Sequence, residues 1–214
     1  MSVLAAFALQ TWQDDRNDRA HELRRIKEMR KEFVTSGLAL DSLEQLHRIS
    51  EGKLTRLDAL LETADAATNA DSILFLGQAL WFFNNYFPNM PAYEELLSAT
   101  GLQGVHNDEL RRALFQYEAT AKLNADFDEY VRSSSISSWE TLVASRMPQL
   151  TSSDPLEDPL RRLLPDVRHL AKDLEFRNLI ATRKFTEAGL AGRSAQLRIA
   201  VANVIKLIDA DVGH

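Results

Sequence analysis

No proline or glycine occurs before Gly37, so nothing in the opening of this chain interrupts a helix. The stretch from Ser2 to Val34 begins apolar, becomes almost wholly charged, and turns amphipathic from Ala20 onwards. This pattern predicts one long helix. We expect it to end near Ser36, with Gly37 in the left-handed conformation that caps many helices.

The apolar start of this helix has two interpretations. Val3–Leu9 is a run of seven apolar residues, and Trp12 follows where an interfacial aromatic residue would lie. The run is either the end of a membrane-spanning helix, with Phe7, Leu9 and Trp12 next to the membrane, or an ordinary helix start that packs on a core. Seven residues do not decide between them, because a spanning helix needs about 20 apolar residues. In the first interpretation, the charged segment Gln13–Arg19 is a solvated stalk.

Helical signals continue through the rest of the chain. Asp41 predicts the start of a second helix, antiparallel to the first, whose seam has spacings of three and four residues: Leu43, His47, Ser50, Leu54, Leu57, Leu61 and Ala64. Further helices are predicted after Asp71, at Pro91, after Asn107, before Met147 and after Pro165. Alternation of the kind seen in strands persists nowhere, so the predicted fold is all-α.

The predicted architecture is an antiparallel helical bundle with a long N-terminal stalk helix and a long C-terminal helix. Its segments are a membrane-helix end and stalk (1–19), a main bundle (20–147), a loop rich in proline and serine (148–164), and a C-terminal helix that packs on the bundle (165–214).

Composition excludes several functions. The chain has 214 residues, no cysteine and a net charge of −6. Disulfides, cysteine metal sites and thiol catalysis are therefore absent, and the negative charge disfavours binding to nucleic acid. No nucleotide-binding, metalloprotease or nucleophile motif occurs, so we predict no cofactor and no enzymatic activity.

Three groups of residues resemble an uncharacterised bacterial family with one N-terminal transmembrane helix. They are the run Ala8–Arg16, the spaced residues Tyr93, Leu96, Thr100, Gly101, Asn107–Leu114 and Tyr117, and the run Glu175–Asn178. The resemblance implies an inner-membrane protein with an α-helical domain in the periplasm. It implies no activity, and so no catalytic residue.

Two acid-x-x-His pairs are the candidates for a metal site. Glu44 with His47, and Asp166 with His169, each lie three residues apart and would share a helix face. Presented inward with two more carboxylates, such as Glu62 and Glu118, they would resemble a di-iron site. The alternative is structural, because an acidic residue at a helix start is favoured by the helix dipole.

Two other polar features interrupt apolar surroundings. His47 and Ser50 lie on the leucine seam, either as a pH-sensitive or register-setting pair or because this end of the seam is partly exposed. Trp81, Phe82, Asn84, Asn85 and Tyr86 form an aromatic segment with two amides, which predicts either a small-molecule pocket or core packing.

Three functional hypotheses follow. The first is a non-enzymatic, membrane-anchored domain for sensing, scaffolding or interaction, with an unknown protein partner or a second copy. The second is a soluble cytoplasmic protein that dimerises through its leucine seams. The third is a helical-bundle metalloprotein built on the acid-x-x-His pairs.

Overall fold

A computed structural model describes residues 3–63, 70–81, 84–86, 88–99, 101–133, 137–146 and 167–212. The helices are α1 (Val3–Glu62), α2 (Ala70–Trp81), α3 (Pro91–Ala99), a short 3₁₀ helix (Leu102–Gly104), α4 (Asp108–Val131), α5 (Ser137–Arg146), α6 (Val167–Lys172) and α7 (Leu174–Val212). No strand occurs in these residues, and the predicted all-α class is confirmed. The predicted loop 148–164 lies outside the described residues.

The first helix is much longer than predicted. α1 runs without a break through Gly37 and Asp41, so the predicted end at Ser36 and the predicted antiparallel second helix are wrong. Gly37 keeps helical backbone angles, since Gly101 is the glycine with positive φ among the described residues. A glycine inside a helix costs about 1 kcal/mol relative to alanine, and burial of the flanking Phe33 and Leu40 outweighs that cost.

The chain divides into two compact units. Unit 1 comprises Met1–Leu40, Phe87–Lys122 and Gln196–His214, and unit 2 comprises Asp41–Tyr86 and Leu123–Ala195. Each unit combines segments that are distant in sequence, and this division differs from the predicted segments.

Unit 1 has an aromatic centre. The rings of Phe33, Tyr93 and Tyr117 meet edge to face, with centroids 4.8–5.7 Å apart. Burial, followed by the nearby Glu118 carboxylate, raises the pKa of the Tyr93 hydroxyl, which therefore stays protonated. The carboxylate of Glu32 accepts hydrogen bonds from the backbone N–H groups of Ala92 (2.8 Å) and Tyr93 (3.2 Å) at the start of α3.

Unit 2 contains a large apolar cluster. Its buried members come from α1, α2, α5, α6 and α7: Leu54, Leu57, Leu61, Ile73, Leu74, Leu76, Ala79, Leu80, Val143, Leu170, Phe176, Leu179 and Ile180. The predicted leucine seam of residues 54–61 therefore packs inside unit 2. Its leucines are not available for pairing with a second copy.

The predicted membrane location is wrong. No helix within the described residues is both long enough and apolar enough to span a bilayer, which contradicts a single-pass inner-membrane protein. The reason is the charged residues from Asp14 onwards, which follow directly after a short apolar run. Of the predicted membrane-proximal residues, Trp12 is exposed to solvent, and the side chains of Phe7 and Leu9 lie outside the described part of the chain.

A candidate interaction groove

A surface groove lies in unit 2 between the end of α1 and helix α2. Its volume is about 750 Å³, and its lining residues are Arg56, Ala59, Leu60, Thr63, Ser72, Phe75 and Leu76. Most of these side chains are apolar or small. The size lies within the range of ligand-binding sites in proteins.

The groove forms because some apolar residues of α1 and α2 pack in the core while others remain at the surface. On α1, Leu54, Leu57 and Leu61 are buried, which turns Arg56 and Thr63 outward, and the half-buried Leu60 lies between the apolar cluster and the groove. On α2 the four consecutive residues Ile73–Leu76 are all apolar, and together they point to every side of the helix. Because the core contacts only part of this turn, one of the four side chains is left on the surface. That side chain is Phe75, which is 58% exposed.

An outward stripe on α1 extends the groove. It consists of residues at alternating spacings of three and four: Leu46, Ile49, Lys53, Arg56, Leu60 and Thr63. Leu46 and Ile49 are large apolar side chains that remain exposed. The stripe covers about 26 Å of the helix, because each residue adds about 1.5 Å.

Two cations on this stripe give the groove a local positive charge. The Lys53 Nζ atom lies 4.6 Å from the centre of the Phe75 ring, and Arg56 lines the groove itself. Neither forms an ion pair with a carboxylate of any residue that the structure describes. In contrast, Asp58 on the same helix is paired with Arg177 at 2.8 Å and Lys184 at 3.4 Å.

The predicted metal candidates lie in different surroundings. His47 is only 1% exposed, and its Nδ1 atom lies 2.7 Å from Glu187 Oε2. Glu44 accepts hydrogen bonds from Arg48, His169 is exposed, and Asp166 lies outside the described residues. In the part of the chain that the structure describes, no group of three or more metal-binding side chains is arranged to hold an ion.

Glu187 instead anchors a buried charge network. It accepts a hydrogen bond from Arg183 Nη2 at 2.6 Å as well as contacting His47, and all three side chains are almost fully buried. Burial lowers the pKa of Arg183, an effect that the Glu187 carboxylate opposes. The Arg183 guanidinium also lies 5.3 Å from the centre of the Trp139 ring. Glu187 thus holds both basic side chains in the interior of unit 2, which is the arrangement of a structural network.

The predicted aromatic pocket is not tested by the structure. Trp81 is 36% exposed at the end of α2, Asn84, Asn85 and Tyr86 are half-buried outside any helix, and Phe82 lies outside the described residues. The Asn85 side chain contacts the Arg132 guanidinium at 2.9 Å. The groove lies farther back on the same helix, at Phe75 and Leu76.

Sequence reasoning missed the groove, although a signal for it was present. The residues of the outward stripe have the same spacings of three and four as the buried seam. Two such patterns, the buried seam and the outward stripe, lie on different faces of α1, which indicates that both faces are contact surfaces. The outward stripe is a weaker signal than the leucine seam, because it includes the charged residues Lys53 and Arg56.

Comparisons with known proteins add no family. No protein-family model matches the chain, and no curated protein or solved structure is significantly similar to it. The resemblance to the bacterial membrane family therefore stays a prediction.

Proposed function

We propose that this chain is a non-enzymatic interaction module that binds an amphipathic helix of a partner protein in the groove between α1 and α2. The observation that carries the proposal is the exposed Phe75 ring, which lies against Lys53 of the outward stripe in a groove that Arg56 also lines. Exposed apolar surface that is contiguous and rimmed by polar groups is typical of protein interaction sites.

The shape favours a helix over a small molecule. A small-molecule pocket buries most of its ligand, whereas this groove adjoins a stripe on the surface of α1 that is about 26 Å long. A helix of about 18 residues has that length. Apolar residues at spacings of three and four on the partner would contact Leu46, Ile49, Leu60 and Phe75.

The charges favour an acidic partner. Lys53 and Arg56 would be flanked by glutamate or aspartate side chains on the partner helix, at the rim of the apolar contact. A second copy of this chain is a poorer occupant, because its own Lys53 and Arg56 would bring like charges together. Among the described residues that line the groove there is no histidine or carboxylate to act as a general base, which supports binding over catalysis.

The test uses two synthetic peptides of about 18 residues with leucines along one helical face. The first carries glutamate on both flanks of that face, and the second carries lysine at the same positions. The chain has a net charge of −6, so general electrostatics favour the lysine peptide. The groove predicts the opposite order, with tighter binding of the glutamate peptide by fluorescence anisotropy.

The Phe75→Ala variant measures the apolar part of the contact. We expect it to weaken binding of the glutamate peptide about tenfold, since a half-exposed phenylalanine contributes roughly 1–2 kcal/mol when covered. Phe185→Ala is the matched control, because Phe185 is also exposed but lies on α7. Equal binding by both variants, or preference for the lysine peptide, would overturn the proposal.

A further inference from the structure

The outer face of α7 in unit 2 has a regular pattern of uncharged and mostly apolar residues. Its residues follow one another at alternating spacings of four and three: Leu174, Asn178, Ala181, Phe185, Ala188, Gly192 and Ala195. None of these residues is charged. The opposite side of the same helix is buried and includes Phe176, Ile180 and Leu190.

Two large apolar side chains on this face are unusually exposed. Leu174 is 78% exposed and Phe185 is 79% exposed, although both lie in a well-formed helix. Around Phe185 the face is shallow, because its neighbours at Ala181, Ala188 and Gly192 are small. A Cβ atom added at Gly192 would meet no atom within 4 Å, so the space above it is open.

We propose that this α7 face pairs with the same face of a second copy in an antiparallel, two-fold symmetric dimer. A two-fold axis between residues 186 and 187 makes the face complementary to itself. Each Phe185 then packs on Ala188 of the second copy, and each Ala181 lies opposite Gly192. The large side chain of one copy fills the shallow region of the other, as a knob enters a hole in a coiled coil.

The charges beside the face allow this pairing. Arg177 and Lys184 flank it. Arg177 is paired with Asp58 at 2.8 Å and with Glu62 at 3.3 Å, and Lys184 is paired with Asp58 at 3.4 Å. Their charges are therefore largely neutralised before a second copy approaches. The groove on α1 lacks this neutralisation, which is why the α7 face and not the groove suits a second copy.

The available area predicts a weak dimer. A phenylalanine contributes about 150–200 Å² when covered, so with Leu174 and the small residues each copy would lose roughly 500 Å². The total of about 1,000 Å² lies at the lower limit for specific interfaces. We therefore expect a dissociation constant in roughly the micromolar range.

Sedimentation equilibrium over a range of concentrations tests the dimer. The wild-type chain should pass from monomer to dimer, and Phe185→Glu should remain monomeric with an unchanged melting temperature, since the side chain is exposed in the monomer. Phe115→Glu is the matched control, because Phe115 is 65% exposed on α4 and should dimerise like wild type. A wild-type chain that stays monomeric to about 1 mM, or a dimer that Phe185→Glu leaves intact, would overturn the proposal.

Disulfide cross-linking tests whether the two α7 helices pair in the antiparallel orientation. The chain has no native cysteine, so only the introduced cysteines can form a disulfide. In the antiparallel dimer Ala181→Cys on one copy meets Gly192→Cys on the other, while two Ala181→Cys positions are about 16 Å apart along the helix. A disulfide requires Cα atoms within about 7 Å. A mixture of the two variants should therefore give the mixed cross-link. Predominant cross-linking of Ala181→Cys to itself would contradict the antiparallel arrangement.

Discussion

His47 Nδ1 lies 2.7 Å from Glu187 Oε2, and the two residues, which are 140 positions apart in sequence, are both almost fully buried. The same carboxylate holds Arg183 through its other oxygen. The Glu187 carboxylate thus contacts two basic side chains, those of His47 and Arg183, inside unit 2. Removing it would leave Arg183 as a buried charge without its carboxylate.

Glu187→Ala is therefore expected to reduce the free energy of unfolding by about 3–5 kcal/mol, as measured by urea denaturation. Arg30→Ala is the control, because it breaks the exposed ion pair between Arg30 and Asp209 and should cost less than about 1 kcal/mol. A loss for Glu187→Ala no larger than that of the control would show that the network contributes little to stability.

Leu57→Ala tests which face of α1 supports the fold. Leu57 is fully buried in the apolar cluster of unit 2, so the substitution should cost about 2–5 kcal/mol. Leu46→Ala removes the same atoms from the exposed stripe of the same helix and should change stability by less than about 0.5 kcal/mol. Similar melting temperatures for the two variants would contradict the division into inner seam and outer stripe.

Asp173 links stability to pH at the start of α7. Its Oδ1 accepts a hydrogen bond from the Phe176 backbone N–H at 3.1 Å, and Arg146 binds its other oxygen. The hydrogen bond with Arg146, followed by that from Phe176, lowers the pKa of Asp173. A lowered folded-state pKa adds stability above the unfolded pKa of about 3.9, which is lost as pH falls through the folded value.

The Asp173→Ala variant should accordingly be about 1 kcal/mol less stable than wild type at pH 7. The difference should shrink as pH falls below about 4, because the wild-type carboxylate becomes protonated. Thermal unfolding at a series of pH values measures it. A difference that stays constant down to pH 2 would contradict the role of the charged carboxylate.

Local signals in the sequence predicted local structure well. Pro91 begins α3, and Asn107 Oδ1 accepts hydrogen bonds from the N–H groups of Glu109 and Leu110 at the start of α4. Caps and turns depend on residues a few positions apart, so the sequence displays them directly.

Features that depend on distant residues could not be predicted in the same way. His47 was expected either to form a pH-sensitive or register-setting pair with Ser50 or to lie at a partly exposed seam end. It is buried, with its Nδ1 atom 2.7 Å from Glu187 Oε2 on α7. Gly37 was expected to end a helix. It lies inside α1, where a Cβ atom added to it would lie 3.4 Å from Val201 Cγ1. In both cases tertiary packing overrides the local preference, and the partner cannot be identified from the neighbouring sequence.

Charge reversal at the groove tests the central claim most directly. Anisotropy titrations of Arg56→Glu with both peptides should reverse the order of affinity, so that the lysine peptide binds more tightly than the glutamate peptide. Arg112→Glu, which places the same charge change on the exposed surface of α4, should keep the wild-type order. If Arg56→Glu and Arg112→Glu shift the two affinities equally, only net charge governs binding, and the groove between α1 and α2 is not the interaction site.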